Sequence, residues 1–304
     1  MEKTLLSSKF INLLASLLLG YLGAWLFMHI HLPPETLKMH EPSFIQILNG
    51  QGPAPDQYRL LQNHLIGLLF RVLNLYLAVM LFTALSLTAS IYLILEVVYL
   101  KINQKYRILL ALILALLYPV LMFNGPRGDS AFILLLSILI VHFLNLGKKS
   151  LFVISVVCMS FARADVALFA VLFSFLFHRN FFRHGMWMLI LAIPILIQAV
   201  LKYVIFPDAT YYVAVVMISE NVKLLSLIKT PTVIFLSALF LLYLEQSIRF
   251  MKWVWQKCPA GKHIFGIFVL YLIALCTVAI IGEMRLYLPL LPFVLLVVQR
   301  YQET

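Results

Sequence analysis

Apolar runs of about 20 residues, the length a helix needs to cross a hydrocarbon core of about 30 Å, recur along this chain with only short polar breaks between them. No soluble fold accommodates that pattern. Hydrophobic residues make up 63% of the 304 positions and charged residues 12%, against roughly 25% charged in an ordinary soluble domain. Because lipid offers no partner to a bare peptide group, a spanning segment must satisfy its own backbone, and a helix does so. The expected fold is an all-α polytopic helix bundle in one membrane domain, residues 1–304.

Eight full spans are predicted, at residues 10–28, 73–100, 108–123, 131–146, 186–206, 232–248, 264–281 and 286–298. The first follows Lys3 and Lys9, is longer than a signal-peptide core and lacks a small-residue cleavage site after it, so it reads as an uncleaved span. Residues 29–72 form a first loop outside the bilayer. Pro33, Pro34, Pro42, Pro53 and Pro55 predict irregular structure over its first part. Tyr58, Leu61, Leu65, Leu68, Leu69 and Val72 then recur at helical spacing, with Arg59, Gln62 and Asn63 assigned to the opposite face of an interfacial helix. No internal repeat is evident.

The apolar run at residues 151–177 is interrupted by Arg163-Ala164-Asp165. It reads either as one span with a buried ion pair or as two half-helices that enter and leave on the same side. Loop charge arbitrates, since Lys and Arg favour the cytoplasmic side. With the N-terminus inside, the paired half-helices place Arg179, Arg183, Arg249, Lys252, Lys257, Lys262 and Arg300 inside and only Lys223, Lys229 and Arg285 outside. A single span reverses that division, so the half-helices are favoured. The net charge of +11 then reflects cytoplasmic loops beside anionic lipid rather than a nucleic-acid partner. Cys158, Cys258 and Cys276 show no paired spacing, and neither a disulfide framework nor a zinc site is expected.

This topology gathers the acidic first loop, Arg127 with Asp129, the Arg163/Asp165 apex, and Glu283 with Arg285 on the outer face. Ionisable groups at membrane depth are costly and mark sites or pathways. Arg163 and Asp165 alternatively neutralise one another at a helix break. Glu41 precedes Pro42 and a short apolar-periodic stretch that ends in glycine; it is either a helix-opening acid or a base for an acceptor hydroxyl. Arg59 heads the interfacial helix, and a guanidinium suits a phosphate; taken alone, Arg59 reads more readily as an ordinary lipid-headgroup contact. His29, His31 and His40 have no fixed metal-ligand spacing, and no cofactor is expected, a divalent metal remaining the alternative. Neither a nucleophile elbow nor a nucleotide-binding P-loop is present.

The order of these features resembles the GT-C superfamily of polytopic glycosyltransferases that use polyprenyl-phosphate-linked sugars. The resemblance rests on Glu41 followed by a short helix and Gly50-Gln51-Gly52-Pro53, on Tyr58-Arg59-Leu60-Leu61, on the broken segment around Arg163 and Asp165, and on Glu283-Met284-Arg285 before two prolines. In that family the first-loop acid is usually Asp, often in an Asp-Glu pair, whereas Glu41 stands alone. The resemblance implies transfer of a sugar from a lipid-linked donor at the outer face of a bacterial cytoplasmic membrane. It makes Glu41 the base and Asp129 a second acid or a metal or substrate contact. Arg59, Arg127, Arg163 and Arg285, with Asp165 and Glu283, would then surround the lipid phosphate. The implied partners are a lipid-linked sugar, membrane lipids and an acceptor of unspecified class. The chain is short for that class, so a glycolipid flippase or a polysaccharide-assembly subunit without transferase activity is the alternative.

Overall fold

The computed structural model describes residues 2–53, 56–99, 102–121, 130–209, 249, 252–256, 263, 266–267, 269–271, 273 and 288–302. Among the described residues the chain is all helical. Four helices are long and apolar enough to cross a membrane, within Lys9–His31, Leu75–Glu96, Lys149–Phe177 and His184–Ile205. The expected spans at 232–248 and most of 264–281 lie outside the described residues.

Helix α1 (Glu2–His31) lies against α4 (Leu75–Glu96) and α5 (Gln104–Leu121). Small residues set this contact. A methyl group on Gly20 would stand 2.6 Å from the Thr88 backbone nitrogen, and one on Gly23 would stand 2.9 Å from the Ala115 carbonyl oxygen, so the backbones approach as closely as small residues permit. Asn12 donates to Glu96 while Gly20 meets Thr88, which makes α1 and α4 antiparallel. Gly23 meets Ala115 and the His31 ring bonds the Pro119 carbonyl at 2.7 Å, which makes α1 and α5 parallel. The start of α1, the end of α4 and the start of α5 therefore share one side, called here the N-terminal side.

Helix α6 (Ser130–Asn145) begins on the far side, where Phe132 packs on Phe82 of α4 at 5.2 Å. It returns the chain to the N-terminal side. A turn with Gly147 at φ +71° leads into α7 (Lys149–Phe177). Although long enough for one span, α7 is not straight: Arg163 has φ −156° and ψ 96° in its middle. A straight 29-residue helix would separate its ends by about 43 Å. Instead the Phe152 ring lies 5.5 Å from Phe181, 5.9 Å from Phe182 and 5.9 Å from Trp187. The ammonium of Lys149 sits 5.7 Å above Phe182. The two arms thus fold back on one another, with both outer ends on the N-terminal side and Arg163 at the apex. Trp187 closes the open end; it is 2% exposed, and its ring N–H donates to the Arg179 carbonyl at 3.2 Å.

Helix α8 (His184–Val200) then crosses to the far side and ends in a single π-turn, Leu201–Ile205. The last helix, α9 (Leu291–Gln302), packs on α6 and stacks Phe293 against Phe173 of α7 at 5.3 Å.

The first loop departs from its expected form. Residues 34–48 are helical, as α2 (Pro34–Leu48), because Pro34 occupies the first turn, where its missing N–H costs nothing. Pro42 lies inside α2 rather than at its start. Glu41 is accordingly a mid-helix residue, not a helix-opening acid; Glu35 holds that place. In α3 (Leu60–Phe70) the assigned faces are reversed in part. Gln62, Ile66 and Gly67 are buried, while Leu68 is 56% exposed. Gly67 faces α2, where a methyl group would stand 2.8 Å from the Leu48 side chain.

Candidate functional site

On the far side, the apex of α7 meets the short 3-10 turn Asp56–Tyr58 and the start of α3. Tyr58 and Leu201 are buried here, with Leu60, Phe161, Ile197 and Phe206 packed around them. Phe161 belongs to the first arm of α7, Leu60 to α3, and Leu201 and Phe206 to the end of α8. Three elements distant in sequence therefore converge on one apolar floor.

The charges stand on that floor. Arg163 donates from Nε to Asp165 at 3.2 Å and from Nη2 to the other carboxylate oxygen. This is the two-pronged geometry a guanidinium favours with a planar anion. Extended φ and ψ at Arg163 make it the residue that opens the second arm, so helix break and ion pair have the same origin. Arg59 lies 3.5 Å from Asp56 and also acts electrostatically on Asp165. Arg59, Asp56, Arg163 and Asp165 thus form one cluster of alternating sign. The Arg163 side chain is 14% accessible and that of Asp165 53%, so the guanidinium is largely covered while the carboxylate remains open.

The turn carrying Arg59 is held by a residue that sequence reasoning did not single out. Gln57, 1% exposed, donates to the Ile47 carbonyl at 2.9 Å and accepts from the Gly52 N–H at 2.6 Å. It ties the end of α2 to the 3-10 turn. Gly50, with φ +79°, ends α2, and Gly52 fits because a methyl group there would stand 2.6 Å from the Gln57 oxygen and 2.9 Å from the Ile47 Cα. The Gly50-to-Pro53 motif is therefore a fastening for Arg59. In the sequence this fastening is marked only by the two glycines, Gly50 and Gly52, ahead of Pro53.

Glu41 is half-buried on the same far-side loop. Unlike Asp56 and Asp165, it has no ion pair with a described residue. Arg127, Asp129, Glu283 and Arg285 lie outside the described residues. No group of three His, Cys, Asp or Glu among the described residues could hold a metal ion. Of the histidines His29, His31 and His40, the first two end α1, where His29 stacks on Trp25 at 5.2 Å and the His31 ring bonds the Pro119 carbonyl.

No protein-family model matches the sequence, and neither a curated protein nor a solved structure resembles it significantly.

Proposed function

We propose that this chain is a GT-C-type membrane glycosyltransferase that moves a sugar from a polyprenyl-phosphate donor to an acceptor hydroxyl on the side opposite its N-terminus. The observation that carries the proposal is the convergence of Arg59 with the Arg163/Asp165 apex above an apolar floor. A lipid-linked phosphate needs cations beside a surface that accepts hydrocarbon, and this cluster supplies both.

In the reaction, the bond between the sugar carbon and the phosphate oxygen breaks as the acceptor oxygen bonds that carbon. The acceptor proton passes to a carboxylate, and the phosphate leaves with its lipid. Arg59 and Arg163 stabilise the departing charge, an effect that is large in a water-poor site. Asp165, already paired with Arg163, is a poor proton acceptor. Glu41, without an ion pair among the described residues, is the better base; Asp129, Arg127, Glu283 and Arg285 complete the proposed site on sequence grounds. A second reading, a flippase or an assembly subunit that binds the lipid without transfer, draws support from the broken helix, because interrupted helices with charges at the break also line transport sites.

The test is transfer from a polyprenyl-phosphate sugar measured beside binding of that lipid. Glu41→Gln should bind the donor normally and transfer about 100-fold more slowly, as expected for loss of a general base. Arg163→Met should weaken donor binding. Undiminished transfer by a folded Glu41→Gln variant removes Glu41 from the mechanism. Donor binding by the wild type with no transfer to any hydroxyl acceptor favours the transport reading.

A further inference from the structure

A cleft of about 330 Å³ opens on the N-terminal side, opposite the charge cluster, within the roughly 300–1,000 Å³ range of small-molecule sites. Its floor is Ile94, Tyr99 and Ile102, all buried, and one wall is Leu295 and Val298 of α9. The outer rim is Tyr106, Leu109 and Ile113 of α5. These three stand at i, i+3 and i+7 and so share one helix face. All are exposed, at 60%, 53% and 40%, so the cleft opens sideways through an outward-facing helix.

The walls are built rather than incidental. The Tyr99 hydroxyl, fully buried, donates to the Pro292 carbonyl at 2.8 Å. That bond fastens the start of α9 beside the corner between α4 and α5. Arg107, at the polar end of the cleft, donates from Nε to the Ile102 carbonyl at 3.1 Å and from Nη1 to the Leu95 carbonyl. Its cation is thereby fixed at the mouth. Lys105 is exposed one turn before Leu109. The acidic residue of this corner, Glu96, is engaged by Asn12 of α1.

An apolar slot with a cationic end, set at the tip of a helix long enough to cross a membrane, matches an amphiphile with a negative head. We propose that this cleft holds one acyl chain of an anionic membrane phospholipid, with its phosphate at Lys105 and Arg107. The assignment is independent of the glycosyltransferase reading: it uses other residues, on the other side of the molecule.

The protein, stripped of native lipid in detergent, should be offered dioleoylphosphatidylglycerol or dioleoylphosphatidylcholine and the retained lipid counted by native mass spectrometry. Wild type should retain the anionic lipid preferentially. Lys105→Gln leaves the Arg107 bonds intact and should reduce that preference about fivefold, the effect of one cation near an anionic surface. Ile113→Trp, which fills the rim, should reduce retention of both lipids, with unchanged circular dichroism showing that the fold persists. Equal retention of the two lipids by wild type overturns the headgroup assignment. Retention by Ile113→Trp equal to wild type overturns the cleft as the binding place. Displacement of the phospholipid by an equimolar polyprenyl phosphate overturns the choice of occupant.

Discussion

Glycine shows most sharply how single positions hold the charge cluster in place. A methyl group at Gly52 would press on Gln57 and on the Ile47 backbone, neither of which can yield without releasing the turn that carries Arg59. Gly52→Ala should therefore lose about 1–3 kcal/mol, the usual cost of overpacking. Gly185, in the first turn of α8, has open space within 4 Å of where a methyl group would stand, so Gly185→Ala should be neutral or slightly stabilising through its helix propensity. Thermal unfolding in detergent reads both; equal behaviour of the two variants would refute the fastening role. At this scale the sequence is legible in residue type but not in partnership. Arg59, Arg163 and Asp165 stand out as charges in an apolar chain, yet Arg59 and Asp165 are 106 positions apart in sequence. Gln57 does not stand out, because a lone glutamine near a polar loop has no periodicity or motif to distinguish it.

Among the elements, α7 gives the clearest instance of a fold decided by something other than length. Its two arms stay together through aromatic contact at their open end, where Trp187 meets Phe152, Phe175 and Phe182 at 5.2 to 5.9 Å between ring centres. Trp187→Ala removes that wedge and should cost about 3–5 kcal/mol, as large aromatic truncations do. Lys149→Cys with Phe182→Cys should cross-link efficiently with a short bifunctional reagent in a background free of other cysteines. Failure of the cross-link in a folded protein would reject the fold-back. Charge in the flanking loops already favours this arrangement, because Lys and Arg report sidedness even where apolar runs are ambiguous. Reading proline as a breaker fails for α2. At the first turn proline is tolerated, and at Pro42 the helix continues despite the lost bond. The buried face of α3 differs from the one hydropathy selects: it turns Gln62, Ile66 and Gly67 inward, with Gly67 against the Leu48 side chain of α2, a contact that hydropathy does not register.

For the whole molecule, packing alone assigns sides. Lys9, Lys105, Arg107, Lys148, Lys149, Arg179 and Arg183 belong to ends that share the N-terminal side, whereas His40 belongs to the loop opposite. By the positive-inside tendency the N-terminal side is expected to be the cytoplasmic one. An impermeant maleimide should therefore label His40→Cys on intact cells, but Lys105→Cys and Arg183→Cys only after permeabilisation. Labelling of Arg183→Cys from outside would invert α8 and break the scheme. The eight-span count rests on segments beyond the described residues, and four span-length helices are what the described part holds. One consequence follows from the dimensions of the folded α7. Each arm, of some 14 residues on either side of Arg163, is about 20 Å long, shorter than a hydrocarbon core of about 30 Å. Rooted at the boundary of the N-terminal side, the apex would stop about 10 Å short of the opposite one, so with that side cytoplasmic, as expected, an anion reaching it from outside would descend part of the electrical drop across the membrane. With the inside negative, that descent is uphill by under about 1 kcal/mol per charge at 100 mV. If the charge cluster at the apex holds an anion as proposed, its occupancy is expected to respond weakly to voltage, rising when the membrane is depolarised.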